Sequence, residues 1–110
     1  MTEAAAGPTG PGTVVLELGA DVGALILYTP ADLDGAEIEI SRDDDPGARR
    51  THSQVRQRPM ATATAYAAVY PSLAAGQYTI WRDQHSPAAT ATITGGQVTS
   101  CRWPGLSLRR

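Results

Sequence analysis

The chain has 110 residues, a formal net charge of −2 and one cysteine. Its length is that of a single domain, and its charge lacks the basic excess that binding to nucleic acid or to an anionic membrane requires. The single Cys101 excludes an internal disulfide, and the longest apolar run, Ala24–Tyr28, is far shorter than the roughly 20 residues that cross a bilayer. We therefore expect neither a nucleic-acid partner nor insertion into a membrane.

Residues 1–12 are rich in Ala, Gly and Pro and are predicted to form a disordered, flexible N-terminal arm, because they offer little apolar surface to bury. They carry neither the basic start nor the apolar stretch of a secretory signal, so we expect a cytoplasmic protein. Residues 13–103 form the predicted folded domain, and residues 104–110 form a predicted C-terminal tail.

The first half of the domain has the pattern of short β-strands. Thr13–Leu18 alternates apolar and polar residues, and Ala24–Tyr28 is a continuous apolar run that suits a central strand. Pro30–Leu33 is the segment where a helical turn is expected. Ala36–Ser41 alternates again, which predicts that its two isoleucines point inward and its two glutamates outward.

The second half continues with strands and turns. Arg49–Arg58 is predicted to be one polar edge strand with Val55 as its apolar anchor, since charged edges discourage pairing between molecules. A strand ending at Tyr70 is followed by a short turn closed by Gly76, and the next strand has Tyr78 and Ile80 inward and Trp81 outward. The last two strands, Ala88–Thr94 and Gln97–Trp103, flank Gly95-Gly96, which predicts a hairpin.

Together these elements predict an all-β fold, a seven- to eight-stranded antiparallel β-sandwich. The charges are unevenly distributed along it, because ten of the 11 acidic residues precede residue 46 and eight of the nine arginines follow it. Acidic and basic strands that lie side by side would neutralise each other, whereas separated ones would create a dipolar surface that favours association.

The segment Tyr70–Trp81 resembles the prealbumin-like sandwich domains, which include carboxypeptidase regulatory-like and collagen-adhesin B-type modules. Leu33–Ile40 and the segment Thr92–Val98 share this resemblance. It implies a β-sandwich scaffold. For the strand that ends at Tyr70, alternation allows either Tyr66, Ala68 and Tyr70 or Ala67 and Val69 to point inward, and the resemblance favours the set with the tyrosines. The Arg-rich segment 49–58 departs from the family pattern.

No cofactor, metal site or catalytic centre is predicted from the residues that could form one. His52, His85 and Cys101 are scattered over three segments without the close pairing of zinc ligands. The run Asp43-Asp44-Asp45 lacks the alternating ligands of a calcium loop, and Ser53 beside His52 would point to the opposite face of a strand. A hydrolase site built from distant residues, such as His52, Asp83 and His85, stays an alternative.

The predicted binding residues are the cationic ones of segment 49–58 together with one outward tryptophan. In an extended strand His52, Gln54, Arg56 and Arg58 share a face, and this strip could bind phosphate or carboxylate groups. Glutamates on neighbouring strands (Glu17, Glu37 and Glu39) could instead neutralise it. The predicted partner-binding set is Arg49, Arg50, His52, Arg56, Arg58 and Trp81.

These residues predict a small non-catalytic module that binds a protein partner or a second copy of itself, forming a homo-oligomer. The alternative is a carbohydrate-binding module, because Trp81 and Trp103 could stack on sugar rings. Each tryptophan could equally cap the core at an open end of the sandwich.

Overall fold

The computed structural model describes residues 19–45, 47 and 49–105. The predicted arm 1–12, the predicted strand Thr13–Leu18 and residues 106–110 of the predicted tail lie outside the described residues. A single turn of 3-10 helix, Ala31–Leu33, follows the first strand, as expected for the segment Pro30–Leu33. The strands are β1 (Val22–Thr29), β2 (Glu37–Arg42), β3 (Thr51–Gln54), β4 (Arg56–Pro59), β5 (Thr64–Ala74), β6 (Gly76–Trp81), β7 (Pro87–Ile93) and β8 (Val98–Arg102).

Two four-stranded sheets pack face to face, which confirms the predicted β-sandwich. The first sheet has the order β4-β5-β1-β8, and the second sheet has the order β3-β2-β6-β7. The predicted inward sets of β2 and β6 are confirmed, and β5 likewise directs Ala68 and Tyr70 into the core with Tyr66 packed against them. The largest fully buried side chains are Tyr70, Leu25, Leu27, Ile40, Ile80, Ile93 and Val55.

A buried hydrogen bond joins the two sheets across this core. The hydroxyl of Tyr70 on β5 donates to the carbonyl oxygen of Ile38 on β2 over 2.7 Å. Burial raises the pKa of Tyr70 well above its ordinary value, so this hydroxyl stays a donor. Buried polar groups need hydrogen-bond partners, and this bond supplies one to the hydroxyl of Tyr70. It also links the first sheet to the second.

The prediction of a hairpin at Gly95-Gly96 is wrong, because the two strands that flank it lie in different sheets. β7 is the edge of the second sheet, whereas β8 pairs with β1 in the first sheet. The pairing of β8 with β1 is parallel, so the sandwich is not wholly antiparallel. Gly95 serves close packing, since a Cβ atom there would lie 1.8 Å from the carbonyl oxygen of Ala20.

The strand predicted to end at Tyr70 continues to Ala74. Leu73 brings a further apolar side chain into the core, where it is 5% exposed. Pro71 is tolerated within the strand because the last residue of β5 that pairs with β4 is Ala67, so Pro71 lies where β5 has a free edge. The chain then crosses to β6 in the second sheet through Gly76, whose φ of 148° favours glycine.

The single edge strand predicted for Arg49–Arg58 is also wrong, because the segment divides at Val55. β3 pairs with β2 in the second sheet, and β4 pairs with β5 in the first. Val55 is fully buried between them; its N–H donates to Ala36 over 2.8 Å and its carbonyl accepts from Gly35 over 2.9 Å. The buried valine therefore turns the chain from one sheet edge to the other, and the predicted common face of His52, Gln54, Arg56 and Arg58 does not form.

Candidate functional site

Trp81 lies on the side of the second sheet that points away from the core, where it is half-buried under an arginine. The guanidinium of Arg50 lies 3.9 Å from the centre of the indole ring, a cation–π contact. The same guanidinium donates to Glu39 over 2.9 Å and to the carbonyl oxygen of Gln84 over 3.0 Å. The indole N–H donates to the hydroxyl of Ser41 over 2.9 Å. Trp81 and Arg50 are thus bonded within the molecule.

His52 lies on the same side of the second sheet as Trp81, the side that points away from the core. It faces Glu39 in the pairing of β2 with β3, and its Nδ1 lies 3.5 Å from a carboxylate oxygen of Glu37. Both side chains of that pair are exposed. Arg49, one residue before Arg50, is exposed as well. The alternative in which glutamates neutralise the cationic segment therefore holds for Arg50, and Glu37 lies beside His52, whereas Glu17 lies outside the described residues.

Of the residues considered for a metal or a hydrolase site, Asp83 has a structural role in its own turn. Asp83 accepts from the backbone N–H groups of His85 and Ser86 over 2.8 Å each, and these bonds hold the pKa of Asp83 below its ordinary value. Among the described residues, no group of three or more His, Cys, Asp and Glu side chains could hold a metal ion. Cys101 is a free, half-buried thiol whose pKa is raised by burial.

Trp103 caps the core, as one of the two alternatives for this residue predicts. Its side chain is 8% exposed, and its backbone N–H donates to the carbonyl oxygen of Tyr28 over 2.7 Å. Arg82 lies over the ring at 5.4 Å. Little of the ring is left for stacking on a sugar.

Arg56 and Arg58 lie on β4, at an edge of the first sheet, where they line a groove of about 820 Å³. Val69 and Pro71 of β5 contribute an apolar wall to this groove, and Asp34 also lines it; we call it the Arg groove. The Nε atom of Arg58 is buried and has no hydrogen-bond partner. Burial, together with the positive charge of Arg56, lowers the pKa of Arg58. Among the described residues, neither arginine forms an ion pair with a carboxylate.

The Arg groove opens onto the outer face of the first sheet, which is apolar at its centre. Register places Ile26 of β1 between Val69 and Ser100, and Tyr28 between Ala67 and Arg102. Val98 at the opposite edge is 42% exposed. The four strands of this sheet contain three arginines and neither Asp nor Glu. We call this surface of the first sheet the outer face. Its apolar centre includes Ile26, Tyr28 and Val69, and its charged residues are Arg56, Arg58 and Arg102.

The residues predicted to bind a partner did not include the centre of the outer face, although the sequence carries a signal for it. The run Ala24–Tyr28 is apolar at every position, and so is the run Ala65–Tyr70 on the neighbouring strand. In an antiparallel sheet with one face in water, apolar and polar residues alternate along each strand. Strands that are apolar at every position, odd and even, therefore indicate that both faces of the sheet lie in apolar surroundings. Applied to these two runs, that rule predicts an apolar outer face on the first sheet.

No protein-family model, curated protein or solved structure matches the chain significantly. In the part of the chain that the structure describes, helices of the length and hydrophobicity needed to span a membrane are absent.

Proposed function

We propose that the protein is a non-catalytic binding module that binds another protein through the outer face and the Arg groove. The observation that carries this proposal is the composition of the outer face. Its centre is built from half-buried apolar side chains such as Ile26 and Val69, and its charged residues are arginines alone. Apolar centres with arginine nearby are typical of protein interfaces.

The charges of the outer face favour a different protein over a second copy of this chain. Two copies that met through this face about a twofold axis would each present the same surface. Arg56, Arg58 and Arg102 would then find no Asp or Glu on the strands of the facing sheet, and like charges brought together across an interface are unfavourable. We therefore propose a partner whose surface combines apolar side chains with Asp or Glu. A homo-oligomer is the competing outcome.

The two other functions receive less support from the geometry. A carbohydrate-binding module needs open aromatic faces, but Arg50 covers one face of Trp81 and Trp103 packs into the core. A hydrolase built on Asp83 needs a carboxylate that faces its base, whereas Asp83 accepts two backbone N–H groups of its own turn. Neither arrangement presents groups that converge on a ligand.

Two broader proposals accompany this one. The resemblance to prealbumin-like domains is supported by the sandwich architecture, since it implies a scaffold of this kind. Such scaffolds serve many functions, so the resemblance does not identify the partner. A cytoplasmic location is supported by the use of cysteine, because Cys101 is a free thiol and the chain holds no second cysteine.

The proposal is tested by placing one positive charge on each face of the sandwich. Val69→Arg adds an arginine to the outer face, and Thr90→Arg adds one to an exposed position of β7 on the opposite face. Each variant is immobilised and exposed to lysate from the source organism, and the bound proteins are quantified by mass spectrometry. Proteins bound by the wild type are then purified and their affinities for the three forms measured.

We expect a purified partner that binds the wild type and Thr90→Arg equally and loses affinity for Val69→Arg. Val98→Arg, at the opposite edge of the outer face, provides a second variant if Val69→Arg does not fold. Sedimentation at low and high salt should show a monomer throughout. A partner that binds all forms equally, or a dimer that Val69→Arg dissociates, would overturn the proposal of a different protein bound at this face.

A further inference from the structure

The buried Nε–H of Arg58 is a donor that the described part of the chain leaves without an acceptor. A donor atom that is removed from water and left unpaired costs free energy, so native proteins rarely contain one. Its neighbour Arg56 adds a second positive charge at the same sheet edge. The two arginines repel each other, and a bound anion would reduce this repulsion. These two facts point to a ligand that accepts from Arg58, whose side chain must turn to expose Nε to it, because that atom is closed to solvent in the unliganded chain.

Another arginine of this chain shows the geometry that such a ligand would adopt. Arg42 donates through Nε to one carboxylate oxygen of Asp44 and through Nη2 to the other, both over 3.0 Å. This side-on fork uses the edge of the guanidinium that contains Nε. The corresponding edge of Arg58 includes the unpaired atom, and Arg58 lines the Arg groove.

We infer that the Arg groove binds a carboxylate of the partner, an Asp or Glu side chain in an extended segment that accepts side-on from Arg58 beside Arg56. This inference rests on the proposed function and specifies the chemistry of its contact. The groove of about 820 Å³ has room for several residues of such a segment. In an extended segment alternate side chains point to opposite sides, so apolar neighbours of the acidic residue can contact Val69 and Pro71.

A carboxylate suits the groove better than a phosphate. The lining includes Asp34 as well as the two arginines. A phosphate monoester carries nearly two negative charges at neutral pH, which increase its repulsion from Asp34 and its attraction to the arginines alike, so the preference comes from shape and from the apolar wall of Val69 and Pro71. A planar carboxylate also matches the two parallel N–H groups of one guanidinium edge.

The test uses a blocked hexapeptide of alternating Glu and Val, with a Gln–Val hexapeptide as the uncharged control and inorganic phosphate as the second anion. Binding is followed through the Nε–H resonance of Arg58 in ¹H–¹⁵N correlation spectra of the wild type. Affinities are measured for the wild type, for Arg58→Lys, which keeps the charge but removes the fork, and for Arg102→Lys, which makes the same change at the opposite edge of the sheet.

We expect the Glu–Val peptide to shift the Arg58 resonance and the Gln–Val peptide to leave it in place. Arg58→Lys should weaken the binding of the Glu–Val peptide about tenfold, because a charge-assisted fork is lost, whereas Arg102→Lys should change it less than about twofold. An unshifted resonance, an equal loss in both lysine variants, or a response to phosphate alone would each overturn the inference.

The two proposals fail in different ways. If Val69→Arg abolishes binding of the partner while Arg58→Lys leaves it unchanged, the outer face is the interface and the carboxylate site is refuted. If Val69→Arg leaves partner binding intact, the proposed function itself is refuted, whatever the Glu–Val peptide does at Arg58.

Discussion

Tyr70→Phe removes one hydroxyl from the core and tests how the two sheets are joined. The hydroxyl donates to the carbonyl oxygen of Ile38 over 2.7 Å, and Tyr70 is 1% exposed. The ring stays in place, so the change costs the hydrogen bond and leaves a buried carbonyl with one partner fewer. We expect the free energy of unfolding to fall by about 1.5 kcal/mol. For a domain of this size that corresponds to a fall in Tm of roughly 6–12 °C.

Tyr28→Phe is the matched control, because it makes the same chemical change on the outer face. Tyr28 is half-buried, and its hydroxyl forms no hydrogen bond with a described residue. Chemical denaturation of the three proteins should show a loss of less than about 0.5 kcal/mol for Tyr28→Phe. A loss for Tyr70→Phe of less than about 0.3 kcal/mol, or equal losses in the two variants, would refute the view that this bond joins the sheets.

Three further predictions concern the chain crossing, a turn and the covered tryptophan. Val55→Ala should lower the free energy of unfolding by about 2 kcal/mol in denaturant titrations and weaken the binding of the Glu–Val peptide, because Val55 positions β4; unchanged stability would contradict this role. Asp83→Asn should lower Tm at neutral pH, and thermal melts should show the gap closing in acid as wild-type Asp83 protonates through its lowered pKa; a gap that is constant with pH would count against it. Arg50→Ala should shift the emission of Trp81 to longer wavelength and increase its quenching by acrylamide, and an unchanged spectrum would show that Arg50 does not cover the ring.

Strand positions follow from the sequence because side-chain alternation is a local property. The apolar run Ala24–Tyr28 predicted the central strand β1, and the isoleucines of β2 and the pair Tyr78 and Ile80 were placed correctly in the core. In each case a period of two residues decides which side chains face inward, and no knowledge of the neighbouring strand is required.

Connections between strands were predicted less well, since one local pattern is compatible with two topologies. Gly95-Gly96 has the composition of a hairpin, yet Gly95 packs closely against Ala20 and the chain continues into the other sheet. Similarly, a polar segment with one valine fits an edge strand, and only the burial of Val55 between the sheets shows that the segment divides there.

The candidate site shows the same division between local and tertiary information. The sequence alone identified the cationic residues of segment 49–58 and the outward direction of Trp81, because residue type and alternation are sufficient for both. Tertiary structure decided which of them are paired: Glu39 and Trp81 engage Arg50, whereas Arg56 and Arg58 reach a separate groove beside an apolar sheet face. The physical reason is that the pairing of a charge depends on which strands become neighbours, and that is settled only when the two sheets close around their core.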